Sequence, residues 1–445
     1  MPSFLSAIET AIPILSGFIW SEFFLVPLLS GVGIYLTFGL KFLPCRNIGT
    51  AIVSTWKSRK DTKEPGDITP FSALMTALSA TIGTGNIAGV ATAIYLGGPG
   101  AVFWMWVIAF FGMATKYSEA VLAVQYREIN SRGQFVGGPM YYIRNGLGPS
   151  WAWLGVLFAF FGMLAAFGIG NTVQAHSVAN VMLETFSIPL LTTGLIIAAL
   201  TSLVIIGGVR RIASFASRAV PLMAILYIGM ALTIIGMHAS AIPEALKLII
   251  SSAFNLDSGA GATLWLAMRW GFARGIFSNE AGLGSAAIAH AAAKSSSPTE
   301  QGNVAMLGTF IDTICLCTMT ALVIIVTGTW TDESVQGAAA SAMAFSNGFG
   351  PIGGIMLSLS LAVFAFTTII GWSYYGERCA EYLFGTRVIT YYRALWILAI
   401  VVGATIELNL VWAIADILNG LMAIPNLIAL LLLSPVVFKL ALKHD

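Results

Sequence analysis

The sequence contains very little charge, and this scarcity decides what kind of protein it can be. Asp, Glu, Lys and Arg together make up 9% of the 445 residues, whereas hydrophobic residues make up 57%. Because a soluble domain carries roughly 25% charged residues, a water-soluble fold of this length is excluded. What remains is a chain dissolved in lipid, in which helices satisfy their own backbone hydrogen bonds.

Cysteine and histidine are scarce as well, with four residues of each. The cysteines lie within or near apolar segments, so neither a disulfide framework nor a metal cage is expected. The histidines are scattered along the chain and suggest no nucleophile–base pair or metal cluster. The sequence therefore predicts a protein that is not an enzyme and that has no organic cofactor.

Eleven apolar segments are long enough to cross the hydrocarbon of a bilayer, about 30 Å, which takes about 20 helical residues. They cover residues 11–40, 70–97, 101–127, 151–184, 189–207, 213–237, 262–292, 302–328, 352–382, 390–406 and 409–436. The first segment lacks the basic start and the cleavage site of a signal peptide, so we expect it to be retained as a helix. The sequence thus predicts an all-α integral membrane protein with 11 transmembrane helices.

Basic residues fall almost entirely in alternate loops of this arrangement. Of the 22 Lys and Arg residues, only Lys247 lies in a loop on the opposite side, and Lys116, Arg269 and Arg274 lie inside apolar segments. Since cytoplasmic loops are enriched in Lys and Arg, the sequence predicts a multi-pass protein of the cell membrane. Its N-terminus is expected outside and its C-terminus in the cytoplasm.

Two apolar segments contain glycine-rich interruptions at corresponding positions. Without the first helix, ten helices remain in two sets of five, and the first helix of each set is interrupted, at residues 83–85 and at residues 271–275. Interrupted helices at matching positions indicate a transporter whose binding site lies near the middle of the bilayer. Glycine pairs could instead allow close helix packing, but Thr, Asn and Arg accompany the glycines here.

The two sets of five helices are predicted to be inverted repeats. Because five is odd, the second set begins on the opposite side of the membrane, and a similar short pattern follows each interruption, at residues 86–89 and 279–282. The predicted divisions are 1–69 for the N-terminal helix and its cytoplasmic loop, 70–237 and 238–436 for the two repeats, and 437–445 for a cytoplasmic tail.

An unwound helix exposes backbone groups that a bound solute can satisfy. The half-helix that begins near Thr84 directs its positive end toward the middle of the membrane, where the amides of Thr84 and Gly85 could bind a carboxylate. The carbonyls of residues 79–82 turn inward and suit a hard cation. The hydroxyls of Thr367 and Thr368 could add ligands, although threonine hydroxyls often bond to their own helix.

Ionisable residues inside the apolar segments are functional candidates, because charge within a bilayer is costly. Arg274 could bind the substrate carboxylate, or it could form a gate with an acidic residue. The candidates for that acidic partner are Glu119, Glu280 and Asp312. Lys116 and Glu119 are three residues apart on one helical face and could neutralise each other. Asp312 is also the best candidate for holding a proton or a second cation.

Several motifs resemble those of the sodium:alanine/glycine symporter family. The longest is Gly-Gly-Pro-Gly-Ala-Val-Phe-Trp-Met-Trp at residues 97–106, and others lie at residues 66–71, 80–89, 137–142 and 271–284. Together the motifs cover nearly the whole chain. The resemblance implies cotransport of alanine or glycine with a cation, usually Na⁺, by a leucine-transporter-like core of ten helices that follows one extra helix.

The resemblance also implies where the substrate and the cation bind. The substrate carboxylate is expected on Thr84 and Gly85, with Phe167, Asn171 and Trp372 along the pocket. The second interruption adds Ala273, Arg274, Gly275, Ile276 and Phe277 to the predicted pocket, although Arg274 has no counterpart in the family pattern. Bulky walls at Phe167, Phe277 and Trp372 would leave room for a small side chain only.

One Na⁺ is expected rather than two. The implied ligands are the carbonyls of Ser79, Ile82 and Phe364 and the hydroxyls of Thr367 and Thr368. A second site of this fold would need Thr81 and Asn86 and further oxygens, for which Thr309, Asp312 and Thr313 are the candidates. The alignment of the helix that carries those last three residues is not secure, so the second ion is not part of the prediction.

Other functions fit the sequence less well. A cation channel would need a repeated filter of carbonyls or a ring of acidic residues, and neither is recognisable. Proton-coupled transport of the same substrate, with Asp312 or Glu280 titrating, stays open. The expected partners are a small amino acid and the lipid bilayer, with no nucleic acid and no obligatory protein partner. A pocket that grips chiefly the backbone of an amino acid could accept both L- and D-alanine.

Overall fold

The computed structural model describes residues 4–21, 23–60, 63–255, 262–332, 334–406 and 409–442. Nearly all of these residues are helical. The helices are α1 (Phe4–Ile19), α2 (Leu25–Gly39), α3 (Leu43–Arg46), α4 (Ile48–Lys57), α5 (Pro70–Thr81), α6 (Val90–Gly97), α7 (Gly100–Gln125), α8 (Pro139–Tyr142), α9 (Ala152–Phe167), α10 (Val173–Phe186), α11 (Leu190–Ile205), α12 (Gly208–Met237), α13 (Ile242–Ala253), α14 (Ala262–Asn279), α15 (Ser285–Ala291), α16 (Pro298–Thr309), α17 (Thr318–Val326), α18 (Gly337–Phe349), α19 (Pro351–Phe384), α20 (Val388–Thr405) and α21 (Asn409–Ala441).

Short segments of other geometry connect some of these helices. Wider π-helical turns occupy Gly85–Gly89, Ile143–Leu147, Gly168–Thr172 and Phe310–Cys317, and tighter 3₁₀ turns occupy Pro149–Trp151, Ala239–Ala241 and Thr329–Thr331. The sheet within the described ranges is a small hairpin in which β1 (Glu128–Ile129) pairs antiparallel with β2 (Phe135–Val136). The prediction of a helical membrane protein is thus confirmed, with a short hairpin in one loop.

Among the described residues, seven helical stretches are long and apolar enough to cross a membrane, and a bent pair makes an eighth. The seven are Gly100–Gln125, Pro149–Phe186, Gly208–Met237, Pro298–Val326, Pro351–Phe384, Val388–Thr405 and Ala413–Ala441, and the pair is Pro70–Thr81 with Gly85–Gly97. Two further predicted spans correspond to the shorter apolar helices α2 and α11. The count of eleven therefore stays a prediction.

The predicted first span, residues 11–40, is two helices instead of one. Helix α1 ends at Ile19 and α2 begins at Leu25. Between them, the indole N–H of Trp20 donates to the carbonyl of Asp416 at 2.9 Å, which ties the turn to α21. Both helices pack against α21, and α2 also packs against α7.

The first predicted interruption is present. Helix α5 starts at a Thr69 cap, whose hydroxyl accepts from the amide of Ser72, and it ends at Thr81. The chain then bends by 57° before it continues to Gly97. The amide of Gly83 donates to Oδ1 of Asn86 at 3.0 Å, so a side chain replaces the lost helical acceptor.

The second interruption was predicted in the wrong place. Helix α14 runs unbroken through residues 271–275, and the chain unwinds only at residues 280–284. There the φ angle is positive at Glu280 (55°), at Gly282 (94°) and at Gly284 (80°). The repeated pattern at residues 279–282 therefore lies on the break itself instead of after it.

The glycines at residues 271–275 serve helix packing, which was the alternative considered for them. A Cβ atom on Gly271 would lie 2.4 Å from the carbonyl oxygen of Ala101, and one on Gly275 would lie 2.6 Å from Cγ2 of Ile108. Both neighbours belong to α7. Since glycine brings the two backbones into contact without unwinding either helix, these positions carry no break.

Helix α7 lies at the centre of the fold. It packs against α2, α14, α15 and α16, and most of its residues are buried. Helix α12, in contrast, exposes large apolar side chains such as Leu222, Ile225 and Leu226. Apolar exposure on an outer helix is what a lipid-facing surface requires.

Candidate functional site

A small cavity lies at the first interruption, where four parts of the chain meet. Its lining residues come from both sides of the break, from the α9–α10 connection, from α14 and its break, and from α19. They are Ala80, Thr81, Gly83, Thr84, Gly85, Ile169, Gln174, Phe277, Glu280, Thr368 and Trp372. The volume is about 20 Å³, little more than one water molecule needs. In this arrangement the cavity has no room for an amino acid.

The predicted carboxylate donors Thr84 and Gly85 line this cavity. Because a helical segment begins at Gly85, its first amides have no acceptor within that segment. A Cβ atom on Gly85 would lie 3.3 Å from Cα of Ser278 in α14. The absence of a side chain at Gly85 therefore lets the two halves of the site approach closely.

Glu280 and Gln174 are among the lining residues that were not predicted to bind the substrate. The carboxylate of Glu280 accepts from Nε1 of Trp372 at 3.0 Å and from the Ser285 hydroxyl at 2.6 Å. The amide nitrogen of Gln174 donates to the carbonyl of Ile169 at 3.0 Å. Its amide oxygen is buried and has no hydrogen-bond partner in the part of the chain that the structure describes.

The π-helical turn at Gly168–Thr172 explains why Gln174 was missed. An extra residue in one turn rotates the following helix, so a face read from regular 3.6-residue spacing is displaced. Asn171 was predicted to face the pocket, but its side-chain amide donates to the carbonyl of Trp396 at 2.9 Å. Phe167 packs on the rings of Tyr392 and Trp396, with centroids 5.0 and 5.3 Å away.

Trp372 and Phe277 form the bulky walls of the cavity, as predicted for both. Trp372 packs against Gly170, and a Cβ atom added to Gly170 would lie 2.2 Å from the Cβ atom of Trp372. The other predicted residues of α14 are divided between different surroundings. Ala273 and Arg274 line a second, larger cavity together with Phe277, whereas Gly275 packs on α7 and Ile276 is buried.

Four of the five predicted cation ligands lie together at the end of α5 and on α19. The hydroxyl of Thr368 lies 3.2 Å from the carbonyl oxygen of Ile82 and 3.1 Å from that of Phe364. The Thr367 hydroxyl lies 2.9 Å from the same Phe364 carbonyl. The fifth predicted ligand is the carbonyl of Ser79, a residue that lies where α5 closely approaches α19, since a Cβ atom on Gly371 would lie 2.7 Å from its hydroxyl oxygen.

This cluster contains only neutral oxygens, from the two hydroxyls, from the unwound backbone at Ile82 and from the Phe364 carbonyl within α19. Such oxygens hold Na⁺ in transporters with broken helices. No group of three His, Cys, Asp or Glu residues within the described ranges could hold a metal ion. The residues present therefore fit a transported alkali cation better than a tightly held divalent or transition metal.

Asp312 links the first interruption to α14. Its carboxylate accepts from the side-chain amide of Asn86 at 2.7 Å, from the Ser278 hydroxyl at 2.7 Å and from the Thr313 hydroxyl at 2.9 Å. The carboxylate is completely buried. Three donors compensate for that burial, and they hold the two interrupted helices together beside the cavity.

The second interruption has a carboxylate of its own. Oε1 of Glu119 accepts from the amides of Gly282 and Gly284 at 3.0 and 3.1 Å, and from the side-chain amide of Asn426 at 2.8 Å. The Lys116 ammonium, which the sequence suggested could neutralise Glu119, interacts with it electrostatically but has no hydrogen-bond partner among the described residues. Because Glu119 already occupies the second break, only the first break offers amides to a substrate carboxylate.

One side of the site is closed by backbone contacts and by Arg127. The amide of Lys294 donates to the carbonyl of Ile68 at 2.7 Å, which joins the chain before α5 to the chain after α15. The guanidinium of Arg127 donates to four carbonyls around this junction, at 2.7–3.0 Å. The acceptors belong to Pro65, Ala291, Ala293 and Ser295.

Comparison with known proteins agrees with this arrangement. Residues 5–444 match the sodium:alanine symporter family. The chain is 50% identical to the sodium/alanine symporter AgcS of Methanococcus maripaludis over 98% of its length and 96% of that protein. It is 39% identical to the probable sodium/glutamine symporter GlnT of Bacillus subtilis, over 98% and 90% of the two chains.

A solved structure shares the fold. The crystal structure of MhsT in complex with L-phenylalanine superposes with a TM-score of 0.58 over 84% of this chain and 98% of that one, at 12% identity. At this identity the likeness concerns the fold alone, and it agrees with the leucine-transporter-like architecture that the sequence implied. The chain is therefore a transporter that belongs to the sodium:alanine symporter family, whose members couple amino-acid transport to sodium.

Proposed function

We propose that this protein imports small neutral amino acids, alanine and glycine, together with one Na⁺ by alternating access across the cell membrane. The observation that carries the proposal is the neutral-oxygen cluster around Thr368, directly beside the unwound amides of Thr84 and Gly85. A cation and a carboxylate bound there would lie next to each other, so each would favour binding of the other.

The amino group of the substrate has two buried acceptors within the same cavity. The amide oxygen of Gln174 has no partner in the described part of the chain, and the Glu280 carboxylate keeps lone pairs beyond the two bonds it accepts. Together with Thr84 and Gly85 they grip the backbone of an amino acid. Because these contacts concern the ammonium and carboxylate groups, both L- and D-alanine are expected to bind.

The walls of the cavity favour a small side chain. Phe277, Trp372 and Ile169 surround a volume of about 20 Å³, so even alanine enters only after a wall has moved. Trp372 resists movement because its indole is bonded to Glu280 and its Cβ rests on Gly170. Phe277, which also lines the neighbouring cavity, is the wall that opens in this proposal.

A single Na⁺ provides enough energy for accumulation. One positive charge that moves through 100 mV yields about 2.3 kcal/mol, and a tenfold concentration gradient adds about 1.4 kcal/mol. The sum, about 3.7 kcal/mol, sustains a several-hundredfold gradient of a neutral substrate.

The proposed architecture comprises an N-terminal unit, residues 1–69, and two inverted repeats, residues 70–237 and 238–436. The bent segment at 82–84 and the break at 280–284 interrupt corresponding helices, the first of each repeat. We expect the junction around Arg127 on the cytoplasmic side, because the loops on that side carry the basic residues. In this orientation the N-terminus is external and the C-terminal tail, residues 437–445, is cytoplasmic.

Uptake of labelled alanine into proteoliposomes tests the function. An inward Na⁺ gradient should drive saturable uptake that unlabelled glycine and D-alanine inhibit, whereas glutamine inhibits weakly. Uptake driven by a pH gradient without Na⁺ would overturn sodium coupling, and strong transport of glutamine would overturn the assignment to small substrates. Liposomes without protein, and a K⁺ gradient in place of Na⁺, are the controls.

A further inference from the structure

A second cavity lies next to the first, on the side away from Arg127. Its volume is about 350 Å³, and α1, α14 and the beginning of α21 form its walls. Phe277 lines both cavities, so they are neighbours with one aromatic ring between them. The volume falls in the range of about 300–1,000 Å³ that small-molecule sites occupy.

Three charged residues line this second cavity, Arg269, Arg274 and Asp416. Arg274 and Asp416 carry opposite charges. Nε of Arg274 is buried and has no hydrogen-bond partner in the described part of the chain. The two side chains attract each other electrostatically, but no direct ion pair joins them within the described ranges. The cavity is therefore lined by a cation and an anion that form no direct ion pair with each other.

Aromatic rings flank the charges. The Arg274 guanidinium lies 5.4 Å from the ring centroid of Trp270 and 5.7 Å from that of Phe277. Arg269 also lines the cavity, where its guanidinium lies 5.7 Å from the Trp270 ring centroid. Trp20 lines the cavity from the α1–α2 turn, which its indole N–H holds against α21.

We propose that this cavity is a second amino-acid site, in which Arg274 binds the carboxylate and Asp416 the ammonium group of a zwitterion. Arginine suits this role because its planar group can donate two parallel bonds to a carboxylate. A purely anionic or cationic ligand would leave one of the two charges without a partner. The proposal rests on the proposed function, since the ligand is the transported class of amino acid.

The difference in volume assigns different selectivity to the two sites. The cavity of about 350 Å³ accepts larger neutral side chains that the cavity of about 20 Å³ excludes. We call the larger cavity the outer site and the smaller one the inner site. The zwitterion is then captured at the outer site, and selection by side-chain size occurs afterwards at the inner site. A carboxylate on Arg274 also competes with the contact between Arg274 and Phe277, so occupancy of the outer site loosens the wall between the cavities.

Binding stoichiometry tests this inference. Purified full-length protein in nanodiscs is titrated with labelled alanine in Na⁺, and two equivalents should bind. Excess unlabelled leucine should displace one equivalent and leave the other. Asp416→Asn, which keeps the side-chain size, should bind one equivalent that leucine does not displace, whereas the control Glu244→Gln, on α13 outside the cavity, should behave as the wild type.

The outcomes separate this inference from the proposed function. A single equivalent in the wild type, unaffected by leucine, would overturn the second site and leave sodium-coupled alanine binding intact. Two equivalents in Asp416→Asn would also overturn it. No alanine binding by the folded wild type in Na⁺ would overturn both. If Asp416→Asn does not fold, the leucine displacement in the wild type still decides, because full displacement or none contradicts two sites of different size.

Discussion

The Thr368 hydroxyl lies between carbonyls of two different helices, at 3.2 Å from Ile82 and 3.1 Å from Phe364. A hydroxyl that served its own helix alone would need only the Phe364 carbonyl, four residues earlier. The additional contact to unwound backbone across the helix interface distinguishes Thr368 from ordinary membrane threonines. It is the individual residue on which the sodium proposal depends most directly.

Replacing Thr368 by valine keeps the shape of the side chain and removes one oxygen. Since a contact to a charged group is worth about 1.5–3 kcal/mol, we expect the Na⁺ concentration for half-maximal alanine uptake to rise at least about tenfold. Uptake is measured at varied Na⁺ in proteoliposomes.

Thr327→Val is the matched control for that experiment. The Thr327 hydroxyl, at the end of α17, donates to the carbonyl of Val323 at 2.7 Å and lies 3.0 Å from the Thr329 hydroxyl. Because neither partner belongs to the cation cluster, the Na⁺ dependence of this variant should stay close to that of the wild type. Equal Na⁺ dependence in Thr368→Val and the wild type would remove Thr368 from the cation site.

At the scale of helices, the contact between α14 and α7 decides where the second break lies. Gly271 and Gly275 lie against backbone and Cβ atoms of α7, and the helix passes them without a bend. The break is displaced to residues 280–284, where Glu119 of the same α7 receives two of the freed amides. Packing and capping on one partner helix therefore place the unwound segment.

Gly271→Ala should destabilise the protein. Its Cβ atom would lie 2.4 Å from a backbone oxygen of α7, which cannot rotate away, and overpacking of this kind costs about 1–3 kcal/mol. We expect the midpoint of thermal unfolding in detergent to fall by several degrees.

Gly229→Ala, in α12, is the control for Gly271→Ala. No atom within 4 Å would meet its new Cβ, so better helix propensity should keep or raise stability. If Gly271→Ala were as stable as Gly229→Ala, the close approach of α14 and α7 would be contradicted.

At the scale of the whole molecule, the structure is closed around the site. The cavity at the first break, called the inner cavity here, has a volume of only about 20 Å³. The guanidinium of Arg127 joins the chain before α5, at the carbonyl of Pro65, to the chain after α15, at the carbonyl of Ser295. Alternating access requires this junction to separate in part of the cycle. Under the proposed alternating access, we expect Arg127 to stabilise the closed arrangement relative to the one that is open toward the basic loops.

Arg127→Gln should shift the population toward that open arrangement. The variant loses a guanidinium that donates to four carbonyls. In a background without the four native cysteines, Ala80→Cys places a thiol in the inner cavity. Labelling by an impermeant maleimide from the side of the basic loops should become severalfold faster in Arg127→Gln.

Arg132→Gln provides the comparison for Arg127→Gln. Arg132 is exposed, and its guanidinium donates to the carbonyl of Thr386, away from the junction. The labelling rate should therefore stay as in the parent. Equal rates in all three proteins would show that Arg127 does not hold the junction closed.

Several features could be predicted from the sequence because they depend on local chemistry. Scarce charge and long apolar segments specify a membrane protein, since no soluble surface can be built from them. The first break at residues 83–85 could be predicted because glycine, threonine and asparagine occur together there within an otherwise apolar segment. The grouping of Thr367 and Thr368 with the carbonyls of Ile82 and Phe364 followed from family resemblance, and the structure brings these four of the five predicted ligands together.

Tertiary structure alone decided the rest. Glycines in a sequence can indicate either a helix break or close packing between helices. At residues 271–275 only the contact with α7 shows that the glycines serve packing. The π-helical turn at Gly168–Thr172 turns Gln174 toward the cavity and Asn171 toward α20, which regular helical spacing cannot anticipate. Glu119 fills the second break from more than 160 positions away in the chain. Such contacts depend on how distant segments meet, which local sequence does not encode.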